Sequence, residues 1–296
     1  MNERSVVTVG TFDGVHLGHR QVLDEIARRA RRDGLKSVVV TFEPHPLEVV
    51  NPPAAPPLLT PPAEREEILA QSELDLLAIL RFTQALSEYS PEQFVDLLRE
   101  RFRMRELVIG HDHGFGRGRA GDEDVLRALG KAQGFVVDVV DAVTVDGRPV
   151  SSTAVRRAVA DGDLPLAERL LGRKYSLNAT VIAGAGRGRQ IGYRTINLSV
   201  PDRRKLLPPE GVYAVRVEWQ NGASGGMMHQ GPRPTFGETE RSLEIHLLDA
   251  ELDLYGAWVK VSWVKRLRDV MRFANAEALK AQLDKDFTDA RAALTR

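Results

Sequence analysis

Residues 6–20, VVTVGTFDGVHLGHR, gather two imidazoles, one carboxylate and three glycines in fifteen positions. The apolar run Val6, Val7, Val9 stops at Gly10, and the spacing beyond predicts an amphipathic helix from near His19. His16 and His19 sit three apart around Gly18. A strand–loop–helix unit of this kind turns backbone N–H groups toward an anion at the helix N-terminus. Glycines let a ligand approach the main chain closely, and imidazoles donate to phosphate oxygens. Read alone, H-x-G-H also fits a surface loop or an i, i+3 metal pair. A short motif gains weight only from context, and here a strand precedes it and a helix follows.

Three more stretches of the first half carry candidate chemistry. Residues 41–46, TFEPHP, close a strand-like run; taken alone they are equally a proline turn. Residues 110–122, GHDHGFGRGRAGD, place glycines beside Arg117 and Arg119, a composition suited either to a nucleotide-covering loop or to a plain basic loop. Residues 150–156, VSSTAVR, read as a helix start. Capping accounts for Ser152 or Thr153, but it does not require Arg156 one turn later.

The second half offers a different set. Residues 184–198, GAGRGRQIGYRTINL, contain a glycine-rich turn (Gly184, Gly186, Arg187, Gly188) followed by Thr195 and Asn197. A spacing of two puts both side chains on one face of an extended strand, and oxygen donors suit Mg²⁺. Glu244 lies inside the apolar run LEIHLLD, where alternation alone makes it an outward-facing residue. Residues 266–273, RLRDVMRF, add Arg268 and Phe273.

The elements that must position these residues fall into two textures. Up to about residue 172, strand-like runs at 6–9, 37–42, 76–80, 107–109 and 136–140 alternate with helical patterns. These include Val22, Leu23, Ile26, Ala27 and Ala30 before a C-capping Gly34, then residues 91–101 and 124–133. A proline-rich connection at 44–62 leads to a Glu-rich helix. Such alternation predicts a parallel sheet with helices on both faces, its ligand outside the carboxyl ends of the strands. Beyond Gly172, short strands at 175–182, 212–219, 243–248 and 258–263 predict a closed antiparallel barrel. A terminal helix follows over 275–286, with Asn275 as N-cap and Ala278, Leu279 and Leu283 inward.

Composition narrows the classes. The chain has 296 residues, 41 basic and 41 acidic side chains, and no cysteine. Disulfides, thiolate metal sites and thiol nucleophiles are excluded. Balanced charge gives no basis for bulk attraction to nucleic acid or membrane, and no apolar run reaches membrane-spanning length. The expectation is a cytoplasmic protein, a monomer or weak homo-oligomer, with no nucleic-acid or membrane partner.

The string G-T-F-D-G-V-H-L-G-H resembles the opening signature of the bacterial bifunctional riboflavin kinase/FAD synthetases. The other stretches resemble that family in the same order over about residues 5–290. The resemblance implies a Rossmann-like nucleotidyltransferase domain at 1–172 with a parallel sheet, and a riboflavin kinase-like β-barrel domain at 173–296 ending in a helix. It implies phosphorylation of riboflavin to FMN, then adenylyl transfer from ATP to FMN, with ATP as co-substrate and Mg²⁺ as cofactor. His16 and His19 would act on the ATP phosphates with Ser152, Thr153 and Arg156. Gly10, Phe12, Asp13, Gly14, Gly18 and Asp112 would line the nucleotide site. In the barrel, Gly184, Gly186, Arg187 and Gly188 would hold the second ATP. Thr195 and Asn197 would hold Mg²⁺, Glu244 would be the general base, and Arg268 and Phe273 would face the flavin. The chain departs from the pattern in four places: His113 and Gly114 before Phe115, Arg194 for the proline of G-F-P-T-A-N, Ile196 for its alanine, and Val270 for the glutamate of R-L-R-D-E. The alternative is an FAD synthetase whose barrel only binds flavin.

Overall fold

The computed structural model describes residues 3–111, 116, 120–184, 192–233, 238–248 and 254–295. The chain divides into two compact units, Met1–Ser152 and Thr153–Arg296.

In chain order the first unit contains β1 (Ser5–Val9), α1 (Leu17–Asp33), β2 (Lys36–Glu43), α2 (Pro46–Val50), α3 (Pro62–Ala70), β3 (Leu76–Arg81) and α4 (Gln84–Ser87). It continues with α5 (Pro91–Phe102), β4 (Met104–Gly110), α6 (Glu123–Gln133), β5 (Val136–Val140) and the short ribbon β6 (Thr144–Val145) and β7 (Arg148–Pro149). Five parallel strands form one sheet in the order β3-β2-β1-β4-β5. Every residue of β1 is buried, which explains its near-continuous apolar sequence. On one face Val7, Val9, Val38 and Val40 pack with Phe94, Val95 and Leu98 of α5 and Leu126 of α6. On the other, Val6, Val39 and Val108 pack with Val22, Leu23 and Ile26 of α1 and Ile68 and Leu69 of α3. Gly34 ends α1 in the left-handed conformation (φ 64°), and Ser90 and Gln93 form a capping box at α5. The proline-rich connection holds more structure than the sequence suggests, since α2 and a 3-10 turn at Pro52–Ala54 both begin at proline.

The order of strand addition reverses at β1: β2 and β3 build out on one side, β4 and β5 on the other. Helix α1, which follows β1, and helix α6, which follows β4, accordingly pack on opposite faces of the sheet, and the carboxyl ends of β1 and β4 are the usual ligand position in such sheets.

The second unit opens with α7 (Ser152–Ala160) and α8 (Leu164–Leu171). Six strands follow: β8 (Ser176–Ile182), β9 (Ile196–Ser199), β10 (Gly211–Trp219), β11 (Gly222–Arg233), β12 (Glu238–Leu247) and β13 (Trp258–Arg268). They close into an antiparallel barrel in the order β10-β11-β12-β9-β8-β13. The glycine-rich β11 has little intrinsic strand preference, but it pairs along its length with β10 and β12. The terminal helix α9 (Ala276–Leu294) is capped by the Asn275 side chain, which accepts from the Ala278 amide at 2.8 Å. It runs past the expected end at 286. Ala278 is exposed, and the packing stripe is Leu283, Phe287, Ala290 and Leu294 against Val212, Ala214 and Met227, because the helix meets the barrel over its second half. Among the described residues no helix is long and apolar enough to cross a membrane.

Candidate active sites

The first centre is the loop from β1 to α1. Gly10 is tied to the sheet by its amide on the Val40 carbonyl (3.0 Å). Phe12 (φ 50°) and Val15 (φ 38°) hold conformations that side-chain-bearing residues seldom adopt, at a cost of about 1–3 kcal/mol each. Bonds from distant segments offset that cost. The fully buried Asp13 carboxylate accepts from the Leu59 amide (3.0 Å) and from the Thr60 amide (2.8 Å) and hydroxyl (3.1 Å). Thr60 Oγ1 in turn accepts from the Gly14 amide (2.8 Å), and the Ser152 hydroxyl donates to the Asp13 carbonyl (2.8 Å). Asp13 and Ser152 thus brace the loop.

His16 caps α1, its Nδ1 accepting from the His19 amide at 3.3 Å. That bond leaves Nε2 as the nitrogen that carries the proton in the neutral ring. The rings of His16 and His19 stack with centroids 3.6 Å apart and planes 16° from parallel, and Phe12 lies 5.0 Å from His19. Gly18 permits this, since a Cβ there would come within 3.3 Å of the His16 ring. Two stacked imidazoles at a helix N-terminus form a compact set of donors for a polyanion. Thr153 is exposed on the first turn of α7 and Arg156 is half-buried one turn later.

Arg65 carries no motif signal, yet it is 1 % exposed and stands at the same sheet edge. Its guanidinium donates to the carbonyls of Thr11 (3.2 Å) and Phe42 (3.0 Å) and to the Glu43 carboxylate (3.3 Å). It joins the loop after β1 to the end of β2, while Thr41 Oγ1 adds a bond to the Thr11 carbonyl (3.2 Å). His45, in the proline turn, is buried and caps α2 through Nδ1 (3.2 Å to the Leu47 amide).

The second centre lies on the barrel. Register places Glu244 of β12 opposite Asn197 of β9 on one side and His229 of β11 on the other. The Glu244 carboxylate accepts from Ser242 Oγ (3.2 Å) and Thr195 Oγ1 (3.4 Å). Strand pairing thus brings Glu244 to Thr195 and Asn197, which sequence spacing alone does not show, and all three are half-buried. Asn197 packs directly over Gly184, where any side chain would overlap its amide. Alternation does put Glu244 on the outer face of the barrel, but not in open solvent. His246, two residues on, meets Phe287 of α9 (5.9 Å between ring centroids).

Arg268 and Phe273 also come together, the guanidinium 5.7 Å from the ring centre. Arg268 is clamped by the buried Asp286 of α9, with Nε at 2.9 Å from each carboxylate oxygen and Nη2 at 2.7 Å, and Gln282 adds a bond to Asp286 (2.8 Å). Tyr193 donates to Asp284 Oδ1 at 2.6 Å. Burial, together with that carboxylate, holds the phenol above its ordinary range, so the hydroxyl remains a donor at any working pH. Ser242, Asp284 and Asp286 give no sequence signal, because their partners are brought to them only by barrel closure and helix docking. Asp112, Gly186, Arg187 and Gly188, with Arg117 and Arg119, lie outside the described residues. Among the described residues no group of three or more His, Cys, Asp or Glu is placed to hold a metal ion. The barrel oxygens of Thr195, Asn197 and Glu244 are instead the hard donors that a magnesium ion prefers.

Comparisons with known proteins match both halves of the chain. The FAD synthetase family model matches residues 1–154 and the riboflavin kinase family model residues 171–294. A bifunctional riboflavin kinase/FMN adenylyltransferase of Escherichia coli (strain K12) is 39% identical over 98% of this chain and 92% of its own length. The protein of the same name from Pseudomonas fluorescens is 41% identical over 97% and 92%, and that from Listeria monocytogenes 36% over 97% and 91%. A crystal structure described as a macrolide-efflux protein from Streptococcus pneumoniae superposes with a TM-score of 0.88 at 32% identity, covering 98% of this chain and 95% of that one. With two family models in tandem and relatives of this identity along nearly the whole chain, the protein belongs to the bifunctional riboflavin kinase/FMN adenylyltransferase family.

Proposed function

We propose that this chain phosphorylates riboflavin to FMN and then adenylates FMN to FAD, using ATP in both steps. Residues 1–172 carry the adenylyl transfer and residues 173–296 the phosphorylation. The observation that carries the reading is the convergence of Thr195 and Ser242 hydroxyls on the Glu244 carboxylate, opposite Asn197. A barrel that merely bound flavin would need no such set, which disfavours the synthetase-only alternative.

In the barrel, Glu244 orients the ribityl 5′-hydroxyl and takes its proton as the oxygen attacks the γ-phosphorus of ATP; the bond from that phosphorus to the β–γ bridging oxygen breaks and ADP leaves. A loose phosphoryl-transfer transition state needs little beyond such positioning. Thr195 and Asn197 would hold Mg²⁺, which neutralises charge on the transferring phosphates when bound. Arg268 and Phe273 are assigned to the flavin side. Because Asp286 already orients the Arg268 guanidinium, its remaining contacts are fixed in direction.

In the nucleotidyltransferase half, an FMN phosphate oxygen attacks the α-phosphorus of ATP and pyrophosphate leaves. The protein supplies donors rather than a nucleophile. His16 and His19 would bear on the leaving phosphates, joined by Thr153 and Arg156, with Phe12, Gly10, Gly14, Gly18 and Asp112 around the nucleotide. The balanced charge and cysteine-free composition suit a cytoplasmic enzyme acting as a monomer or weak homo-oligomer.

The test is a chromatographic time course of purified protein with riboflavin, ATP and Mg²⁺. FMN followed by FAD is expected. FAD formed from added FMN, with nothing formed from riboflavin, would favour the synthetase-only reading instead.

A further inference from the structure

Two of the residues that precede Thr195, in the segment leading into β9, are gripped by side chains of β12 and α9. Tyr193 donates through its hydroxyl to Asp284 of α9 at 2.6 Å, and its ring meets that of His246 edge-on, with centroids 4.9 Å apart. His246 bonds the Arg194 carbonyl through Nδ1 at 2.8 Å. A carbonyl only accepts, so Nδ1 bears the proton. The His246 ring lies against Phe287, one turn from Asp284 on the same helix.

This is the stretch in which the chain departs from G-F-P-T-A-N, with Arg194 standing where the resemblance expects proline. A proline ring fixes its own φ and biases the residue before it toward extended backbone. Arginine supplies neither constraint. Tertiary bonds at Tyr193 and at the Arg194 carbonyl hold the same two residues by other means.

We propose that Asp284, acting through Tyr193, is a positioning residue for the kinase reaction: the terminal helix holds Thr195 in place to bind the nucleotide and its metal, replacing the rigidity that proline would give. The same helix holds Arg268 through Asp286, so it sets the nucleotide side and the flavin side of the barrel site together. The inference rests on the reading of Thr195 as a residue of the nucleotide–metal site.

The experiment is steady-state FMN formation by the full chain, with ATP varied in excess Mg²⁺ and riboflavin varied separately. Tyr193→Phe keeps the ring on His246 and removes only the hydroxyl. It is expected to raise KM for ATP about 3- to 10-fold, as for loss of one charge-assisted hydrogen bond, with KM for riboflavin changed less than about twofold. Asp284→Ala should match it, and the double variant should be no worse than either single one. Asp284→Asn, whose side-chain carbonyl still accepts the phenol proton, should recover most of the loss. Adenylation of supplied FMN should be unaffected in every variant.

Unchanged KM for ATP in Tyr193→Phe would overturn the proposal. So would additive effects of the two changes, or a loss confined to melting temperature and shared by both activities. Thr195→Ala separates the two levels of the argument. If it still makes FMN with an ordinary KM for ATP, the reading of Thr195 fails and this inference with it. If it is inactive while Tyr193→Phe is normal, only the role of Asp284 fails.

Discussion

Asp13 and Thr60 are bonded twice: the Asp13 carboxylate accepts from the Thr60 amide at 2.8 Å and from its hydroxyl at 3.1 Å. That pairing carries the loop between β1 and α1 from a segment 47 residues away. Asp13→Ala leaves several buried donors unanswered and should cost about 2–4 kcal/mol of stability. FMN adenylation should fall at least about tenfold, because Phe12 and Val15 would relax from their strained conformations. Denaturant titration and the FAD-forming assay check the two effects, and full activity in the variant would refute the bracing role.

The two chemistries should separate by mutation. Glu244→Gln keeps the shape and hydrogen bonding of the side chain but cannot take a proton, and it should reduce FMN formation about a hundredfold or more. Adenylation of supplied FMN should continue at its normal rate. His19→Ala should do the reverse, with FMN accumulating and little FAD appearing. Loss of both activities in either variant would contradict separate sites.

Gly184 offers a steric test of the metal side. Its Cα lies so close to the Asn197 amide that a methyl group cannot fit without moving that side chain. Gly184→Ala should therefore lower kinase turnover about tenfold or more, with adenylation unchanged. Riboflavin phosphorylation at the wild-type rate would mean that the Asn197 placement is unimportant.

Acid stability has an identifiable contributor in Glu25 of α1. Glu25 accepts two bonds from Arg28 (2.9 and 2.6 Å) and one from Arg29 (2.5 Å). The Arg28 bond, reinforced by Arg29, holds its carboxyl down at about 2 from an ordinary 4.5. Because the folded value lies below the unfolded one, the stabilisation is complete above pH 4.5. It is lost as pH falls from there through 2. Glu25→Gln should cost about 1 kcal/mol at neutral pH and lose stability less steeply below pH 4.5, so that the two proteins converge near pH 2. Parallel denaturation curves across that range would show that the pair contributes nothing.

The sheet was legible because β1 and the middles of β2 and β4 are buried and read as short, largely apolar stretches (Val6, Val7 and Val9; Val38, Val39 and Val40; Leu107, Val108 and Ile109), and Gly34 and Asn275 mark helix ends by local chemistry. His16, His19, Thr195, Asn197 and Glu244 were legible because each sits in a motif a few residues long. Arg65 was not, since its partners Thr11 and Phe42 are 54 and 23 residues away and only sheet assembly brings them together. Strand β11 was hidden by its glycines, which lower local preference while two neighbouring ladders supply the pairing. The exposure of Ala278 was hidden for another reason: periodicity gives a helix its apolar face but not the point at which the barrel begins to cover it.

Closure of the barrel has a consequence for solution behaviour. Among the described residues each of its six strands has a partner on both sides, whereas the parallel sheet stops at β3 and β5, each with one neighbour. Strand-to-strand self-association is therefore open to the nucleotidyltransferase sheet and closed to the kinase barrel. At the β3 margin, Ile79 is 41% exposed and Arg81 is the exposed charged residue closing that strand. Under heat or crowding, the half that makes FAD should be the one that nucleates aggregates.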